Sequence, residues 1–216
     1  MALAVRSSSI TWDTATGLEP TGAASGDLLV MMIHSPNTTT AFTPPTGWTE
    51  VLDTFNHNTD NGRKGAFWII RAGSAPSYTI GGGNGGAISI VVYAITGHDA
   101  TTPMDATPTE NRTTGVDAVC ASITTVTADT LILLSIGNNA ATGTPFAQPS
   151  GFTLAQARDS YAATAYKAQA ATGATGTFTW DTHADEWGCI TVAVRPSGGG
   201  GGATLRRYSL GLTGVG

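Results

Sequence analysis

The stretch Asp181-Thr182-His183-Ala184-Asp185-Glu186 offers the clearest candidate for chemistry in this sequence. Its Asp181, His183 and Asp185 alternate, and alternate side chains of an extended chain point to the same side. Oxygen-rich alternation of this kind can hold Ca²⁺, and Trp187 follows directly as an aromatic surface for a ligand. We therefore take Asp181, His183, Asp185, Glu186 and Trp187 as a candidate ligand loop, with a plain polar hairpin loop as the alternative interpretation.

The remaining acidic residues do not indicate a hydrolase. Paired catalytic carboxylates lie on opposing core strands, roughly 5 to 10 Å apart in a cleft. The aspartates of this chain instead fall at turns or strand ends, which favours a role as turn residues. They are Asp27, Asp53, Asp60, Asp99, Asp105, Asp129 and Asp159.

Nucleophilic and phosphate-binding chemistry lack their usual patterns. The four histidines, His34, His57, His98 and His183, show no regular spacing, and no serine lies in a Gly-x-Ser-x-Gly elbow. The glycine tract from 81 to 86 connects two predicted strands and does not open a helix, so it lacks the anion-binding geometry of a helix N-terminus. The sequence predicts no catalytic residue, no cofactor and no enzymatic activity.

The cysteines and tryptophans are better explained by the core. Cys120 and Cys189 lie far apart without metal-ligand spacing, so neither a zinc site nor a disulfide framework is indicated, and both are predicted to be buried. The five tryptophans suggest a carbohydrate platform, but three of them lie in internally repeated blocks, which favours a core role. Trp12 and Trp187 remain as candidate surface aromatics.

Composition excludes some partners. The formal charge of −5 argues against nucleic-acid binding, which needs a basic surface. Charged residues make up 12% of the chain, against about 25% in ordinary globular proteins. A surface of Thr, Ser, Asn, Ala and Gly suits packing in an assembly. No signal peptide or apolar run of membrane-spanning length is present, so we expect the protein to work without crossing a membrane by itself.

The elements that must position these residues come in two copies. Asp27 to Ile33 and the turn Pro45-Thr46-Gly47-Trp48 reappear as Asp129 to Ser135 and Pro149-Ser150-Gly151-Phe152. The blocks Ser77-Tyr78-Thr79-Ile80 and 88–92 reappear as Thr177-Phe178-Thr179-Trp180 and 188–192. One β-rich unit was used twice, at about 20–97 and 118–195.

Short apolar runs separated by Gly and Pro turns predict an all-β, jelly-roll-like β-sandwich whose two halves interleave. A 70-residue β-unit is marginal alone, so residues 1–196 are predicted to form a single domain. Residues 197–202 are then a glycine tether and 203–216 a C-terminal arm. A helix over 153–171 is the competing assignment for that Ala-rich segment.

The order of motifs resembles a known group of proteins. Gly26-Asp27-Leu28-Leu29-Val30, Pro45-Thr46-Gly47-Trp48-Thr49, a strand ending Arg71-Ala72-Gly73, Pro76-Ser77-Tyr78-Thr79 and a strand ending near Tyr93 are similar to those of β-sandwich structural proteins of tailed bacteriophages. The resemblance covers residues 20 to about 196. It implies a virion component, such as a decoration or cement protein, a head-fibre base or a tail accessory protein, and no catalytic residues.

The C-terminal arm supplies the predicted partner contact. Leu205, Arg206, Arg207, Tyr208, Leu210 and Leu212 are too apolar for a purely solvating tail. We expect them to dock on a neighbouring subunit or the major capsid protein of the virion, within a homo-oligomer. The function expected from these points is capsid decoration. The alternative is a carbohydrate-binding module for host attachment that uses Trp187 and the acidic loop on a surface glycan.

Overall fold

The protein is all-β. The computed structural model describes residues 2–36, 38–55, 62–83, 88–138, 147–158 and 161–198. The strands, in chain order, are β1 (Ala4–Trp12), β2 (Leu28–Ser35), β3 (Thr49–Phe55), β4 (Arg63–Ile70), β5 (Ser89–Thr96), β6 (Thr109–Cys120), β7 (Thr124–Thr125), β8 (Thr130–Gly137), β9 (Thr153–Arg158), β10 (Ala162–Gln169), β11 (Gly173–Ala174) and β12 (Phe178–Val194). The predicted all-β sandwich is confirmed, and β9 and β10 exclude the helix considered for 153–171. Over these ranges no helix has the length and apolarity needed to span a membrane.

Two five-stranded antiparallel sheets make up the body. The first has the order β1-β5-β2-β4-β3 and the second the order β6-β12-β8-β10-β9. Each half thus supplies the five long strands of one sheet. In both sheets these strands lie in the spatial order first, fifth, second, fourth and third. The predicted duplication is present as two sheets of the same topology. The halves do not interleave their strands, however, since each half completes its own sheet and meets the other face to face.

The strand pairing shows that the sequence alignment of β2 with β8 is off by one residue. Leu28 pairs with Ile70 and Ile95, whereas Leu131 pairs with Ala168 and Val194. Leu28 therefore corresponds to Leu131, because a shift by a single residue would turn every side chain to the other face. The turn blocks keep their predicted correspondence, as the aromatic pairs described below show.

The core between the sheets is built from alternate residues of the central strands. Leu28, Val30 and Met32 of β2 belong to one buried cluster with Leu131 and Leu133 of β8. All are at most 4% exposed, and burying each such side chain contributes about 1.5–3 kcal/mol. This shared cluster joins the two halves.

A two-stranded ribbon covers the outer face of each sheet; it contains Gly17 and Tyr78 in the first half, and Cys120 and Phe178 in the second. In the first half, Gly17 N–H donates to Tyr78 O (3.1 Å), and in the second half Cys120 pairs with Phe178. Each ribbon contributes one ring to an aromatic pair with the turn that precedes β3 or β9: Trp48 and Tyr78 pack edge to face with ring centroids 5.8 Å apart, and Phe152 and Phe178 do so at 4.9 Å. These ribbons close the outer core of each sheet, so both faces of both sheets are covered.

Candidate functional site

The predicted ligand loop is part of a strand. Residues 181–187 lie inside β12, where a bulge between Asp181 and Asp185 interrupts the pairing with β6. Opposite the bulge, Thr182 Oγ1 donates to Val116 O at 2.8 Å. The hairpin-loop interpretation is therefore wrong. The bulge turns His183 and Asp185 toward the end of β8.

Asn138 joins the two residues of the bulge. Its side chain is fully buried, and its Nδ2 donates to Asp185 Oδ2 at 2.8 Å and lies 3.1 Å from His183 Nε2. His183 Nε2 and Asp185 Oδ2 are 3.5 Å apart, and Asp185 Oδ1 accepts Glu186 N–H at 2.7 Å. Both oxygens of the carboxylate thus have donors from the protein itself.

His34 connects this cluster to the other sheet. Its Nε2 lies 2.7 Å from Asn138 O, which accepts the imidazole N–H. Gly137 makes room for the ring, because a Cβ at Gly137 would lie 2.4 Å from His34 Cγ. Residues that are remote in the sequence therefore form one polar tie between the two halves. We call His34, Asn138, His183 and Asp185 the cross-sheet cluster.

Trp187 does not offer an exposed ring. It is 1% exposed, its indole N–H donates to His183 O at 3.1 Å, and its ring meets the imidazole of His183 edge to face at 5.2 Å. A sugar platform on Trp187 is thus excluded by its burial. Asp181 is exposed, and its backbone pairs with Ala147, so it does not join the cross-sheet cluster.

The cross-sheet cluster has little capacity for ligand chemistry. Within the described ranges, no three His, Cys, Asp or Glu side chains are placed to hold a metal ion. Each oxygen of the one carboxylate in the cluster already accepts a hydrogen bond, from Asn138 or from Glu186. Through Asn138, the hydrogen bonds of the cluster tie β2, β8 and β12 together.

Lys64 is the unusual residue that sequence reasoning missed. It is the second residue of β4, between Arg63 and Gly65, and its side chain is fully buried. Its Nζ has no hydrogen-bond partner among the described residues. Burial lowers the pKa of Lys64 from 10.5 to about 7, against the opposing effect of Cys189 and Cys120 nearby. Because Lys64 pairs with His34 across β2 and β4, it lies at the same end of the sandwich as the cross-sheet cluster.

Most of the described aspartates that were predicted to be turn residues brace loops. Asp27 accepts Arg6 Nε and Ala24 N–H, each at 2.8 Å, and Asp53 accepts Arg63 Nε at 2.6 Å. Asp105 accepts Val126 N–H at 2.7 Å. These carboxylates hold strand ends in place.

Two further aspartates have turn geometry. The backbone N–H groups of Thr102 and Thr101 donate to Asp99 and lower its pKa to about 2. Asp129 has φ of 57°, a conformation that Asp and Asn tolerate best after Gly. Asp60 and Asp159 fall outside the described residues.

The other tryptophans and both cysteines mostly follow the predictions. Trp48 and Trp180 are buried, at 6% and 0% exposure, and Trp68 packs against the inter-sheet core. Trp12 is partly exposed, with the guanidinium of Arg158 over its ring at 4.9 Å. Both cysteines are buried and free.

An open groove of about 530 Å³ lies beside the start of β6. Its lining includes Asp105, Thr109, Ser122, Thr124 and Val126. Asp105 already accepts backbone N–H groups and pairs with Arg195. The other named side chains are hydroxyls and one apolar group, so the groove brings no free acid or base together.

The arm residues Leu205, Arg206, Arg207, Tyr208, Leu210 and Leu212 lie outside the described residues. Comparison of the chain with family models, with curated proteins and with solved structures finds no match.

Proposed function

We propose that this chain is a structural protein of a tailed-bacteriophage virion and that it decorates the outer capsid. The observation that carries the proposal is the use of the charged side chains. Enzymes hold acids and bases in clefts with perturbed pKa values, whereas here Lys64, whose pKa is perturbed, is fully buried, and most of the described arginines join strands and loops. The arginine ion pairs among the described residues are Arg6–Asp27, Arg63–Asp53, Arg71–Glu19, Arg158–Asp13 and Arg195–Asp105.

The architecture of the body supports the same role. Both faces of both sheets are covered, and three apolar clusters fill the layers. Such a body has little freedom to open and close around a substrate. Together with a charged fraction of only 12%, it suits a rigid unit that packs against neighbours.

The arm supplies the attachment in this proposal. β12 ends at Val194, and Ser197 N–H still donates to Gly97 O at 2.6 Å. The glycine tract from 198 to 202 follows that last contact directly. In the proposal, the leucines and Tyr208 fill an apolar groove of the capsid or a neighbouring subunit, and Arg206 and Arg207 pair with acidic groups there.

The test is a decoration assay on particles assembled without this protein. Purified full-length protein, a variant ending at residue 197, and the variant Leu210→Asp/Leu212→Asp are added, and bound copies are quantified after sedimentation. The matched control is Ser209→Asp, which adds a charge to the arm without removing an apolar group. We expect occupancy to be lost in the first two variants and kept in the control. Unchanged occupancy of the truncated protein would refute the attachment role of the arm.

The alternative of a carbohydrate-binding host-attachment module depended on exposed aromatic rings. Trp187 is buried and Trp12 carries Arg158 over its ring. No observation on the described residues favours that alternative, so it is not carried further. A glycan array with the full-length protein would reopen it if a defined sugar bound.

A further inference from the structure

The two cysteines belong to one buried cluster although they lie far apart in sequence. Cys120 ends β6 in the ribbon that folds back over the second sheet, and Cys189 lies in the body of β12. Both are 0% exposed and are free thiols. The sequence gives no indication that they meet.

Hydrogen bonds place the ribbon directly above Cys189. Asn111, the cross-strand partner of Cys189, donates from Nδ2 to Val119 O at 2.8 Å. Thr191 Oγ1 donates to Ala121 O at 3.0 Å. Val119 and Ala121 flank Cys120, so these two bonds hold the cysteine over its counterpart. A threonine hydroxyl reaches about as far from its Cα as a cysteine sulfur does, so the layers are close enough for the thiols to meet.

The first half gives an independent measure of this spacing. Gly17 and Cys120 occupy the same place, since each pairs with the aromatic of its ribbon, and Ile90 corresponds to Cys189 through the register of the sheets. A Cβ built on Gly17 would lie 3.0 Å from Ile90 Cγ2. One further bond puts the two Cβ atoms at most about 4.5 Å apart, which is the upper end of the range of about 3.5–4.5 Å that disulfides show. The equivalent positions of the first half are thus close enough for a disulfide, which supports the same spacing between Cys120 and Cys189.

The electrostatic surroundings agree with this contact. Burial, together with the neighbouring Cys120 thiol, raises the pKa of Cys189, and Lys64 acts in the opposite direction. The raised pKa keeps the buried thiol protonated in the folded protein, so disulfide exchange, which proceeds through the thiolate, should be faster while the chain is unfolded.

We propose that Cys120 and Cys189 form a disulfide that fastens the folded-back ribbon to the second sheet once the protein is in an oxidising medium. With a small-molecule disulfide such as oxidised glutathione, one protein thiolate attacks a glutathione sulfur and releases one glutathione thiolate. The second protein thiolate then attacks the protein sulfur of the mixed disulfide and releases the other glutathione. Two protein thiols are oxidised, their two protons leave, and one glutathione disulfide is reduced to two thiols.

The test consists of two experiments on the full-length reduced protein. In the first the native protein is incubated with oxidised glutathione, and in the second the reduced, unfolded chain is refolded in a glutathione redox buffer. Intact mass, free-thiol titration and peptide mapping without reductant are the measurements. We expect loss of both thiols, a mass lower by about 2 Da with no glutathione retained, and a 120–189 linked peptide. The Tm should rise, and added reductant should reverse the rise.

Single variants provide the matched controls. Cys120→Ser and Cys189→Ser each keep one buried thiol without a partner, so after refolding they should retain that thiol in the reduced form and show no rise in Tm. A bond formed only during refolding would also support the proposal, because the thiols are buried in the native protein. The proposal would be overturned if the wild type kept two reduced thiols in both experiments. It would also be overturned if the wild type carried glutathione on each cysteine or formed disulfide-linked dimers.

Discussion

Replacing Lys64 with methionine should stabilise the protein at neutral pH. Lys64 is fully buried, and Nζ has no hydrogen-bond partner in the described part of the chain. Methionine has a similar length and no charge, so Lys64→Met keeps the packing and removes the cost of burying an ammonium group. The difference in stability between the wild type and the variant should be largest at and below about pH 7, and it should shrink as the pH rises toward the unfolded pKa of the lysine.

The magnitude follows from the pKa of Lys64, which is lowered from 10.5 to about 7 on folding. The folded state binds fewer protons than the unfolded state between these values, so stability rises with pH in that window. At about 1.4 kcal/mol per unit, the shift destabilises the wild type by up to about 4 kcal/mol at pH 7. Between pH 7 and 8 the wild type should gain about 1 kcal/mol, as the folded lysine goes from half to mostly neutral.

Urea unfolding at pH 7.0, 7.5 and 8.0 measures both effects. The window stops at pH 8 because burial raises the pKa of Cys189 and of Tyr93, and such groups lower stability as pH rises through their unfolded values. Lys167→Met is the matched control, since Lys167 is partly exposed and its Nζ only lies over the ring of Phe152 at 5.6 Å. It should change stability by less than about 1 kcal/mol and leave the pH slope intact.

A flat wild-type profile from pH 7 to 8 would refute the reasoning. So would a Lys64→Met variant that keeps the wild-type slope, because the slope would then come from another group. Destabilisation by Lys64→Met with loss of the slope would confirm the lowered pKa of Lys64 and would mean that methionine packs worse at this position than the neutral lysine does.

The structure makes three further predictions. Trp48→Ala and Phe152→Ala should each cost about 3–5 kcal/mol in urea unfolding, because they fill equivalent buried positions; a cost below about 1 kcal/mol for Trp48 would place it on the surface. Gly137→Ala should lower the Tm because its Cβ would meet the facing imidazole at 2.4 Å, and an unchanged Tm would show that the ring can move away. Fragments 1–100 and 116–196 should lack cooperative thermal unfolding, since the inter-sheet cluster draws on both halves; one fragment that melts cooperatively would contradict the single-domain prediction.

Local signals account for what the sequence predicted well. Pro45-Thr46-Gly47 and Pro149-Ser150-Gly151 form the predicted turns, with Gly47 at φ of 87° and Gly151 at 79°, conformations that glycine adopts without strain. Apolar runs such as Leu28 to Ile33 read as buried strands because every residue is apolar and both faces are covered. Fold class and duplication depend only on such local features.

The candidate site could not be predicted because it depends on contacts between distant strands. The bulge in β12 is held by Thr182 Oγ1 donating to Val116 O, and no pattern within residues 181–187 encodes that partner. Trp187 looked like a surface aromatic because it follows an acidic stretch. Its burial follows from the folded-back ribbon, which covers the outer face of the second sheet.

The duplication itself explains why two pairs of equivalent residues differ sharply where the halves meet. If two identical sheets packed face to face, equivalent side chains of the two sheets would lie against each other near their common symmetry axis. Two bulky side chains at such a position would clash. The register makes His34 equivalent to Gly137 and Lys64 equivalent to Ala162, so each large polar residue of the first half is matched by a small one in the second. The imidazole of His34 fits only because Gly137 has no side chain. Divergence of the two copies at this interface is thus a packing requirement, and it is the reason that Lys64 and the cross-sheet cluster have no counterpart in the other half.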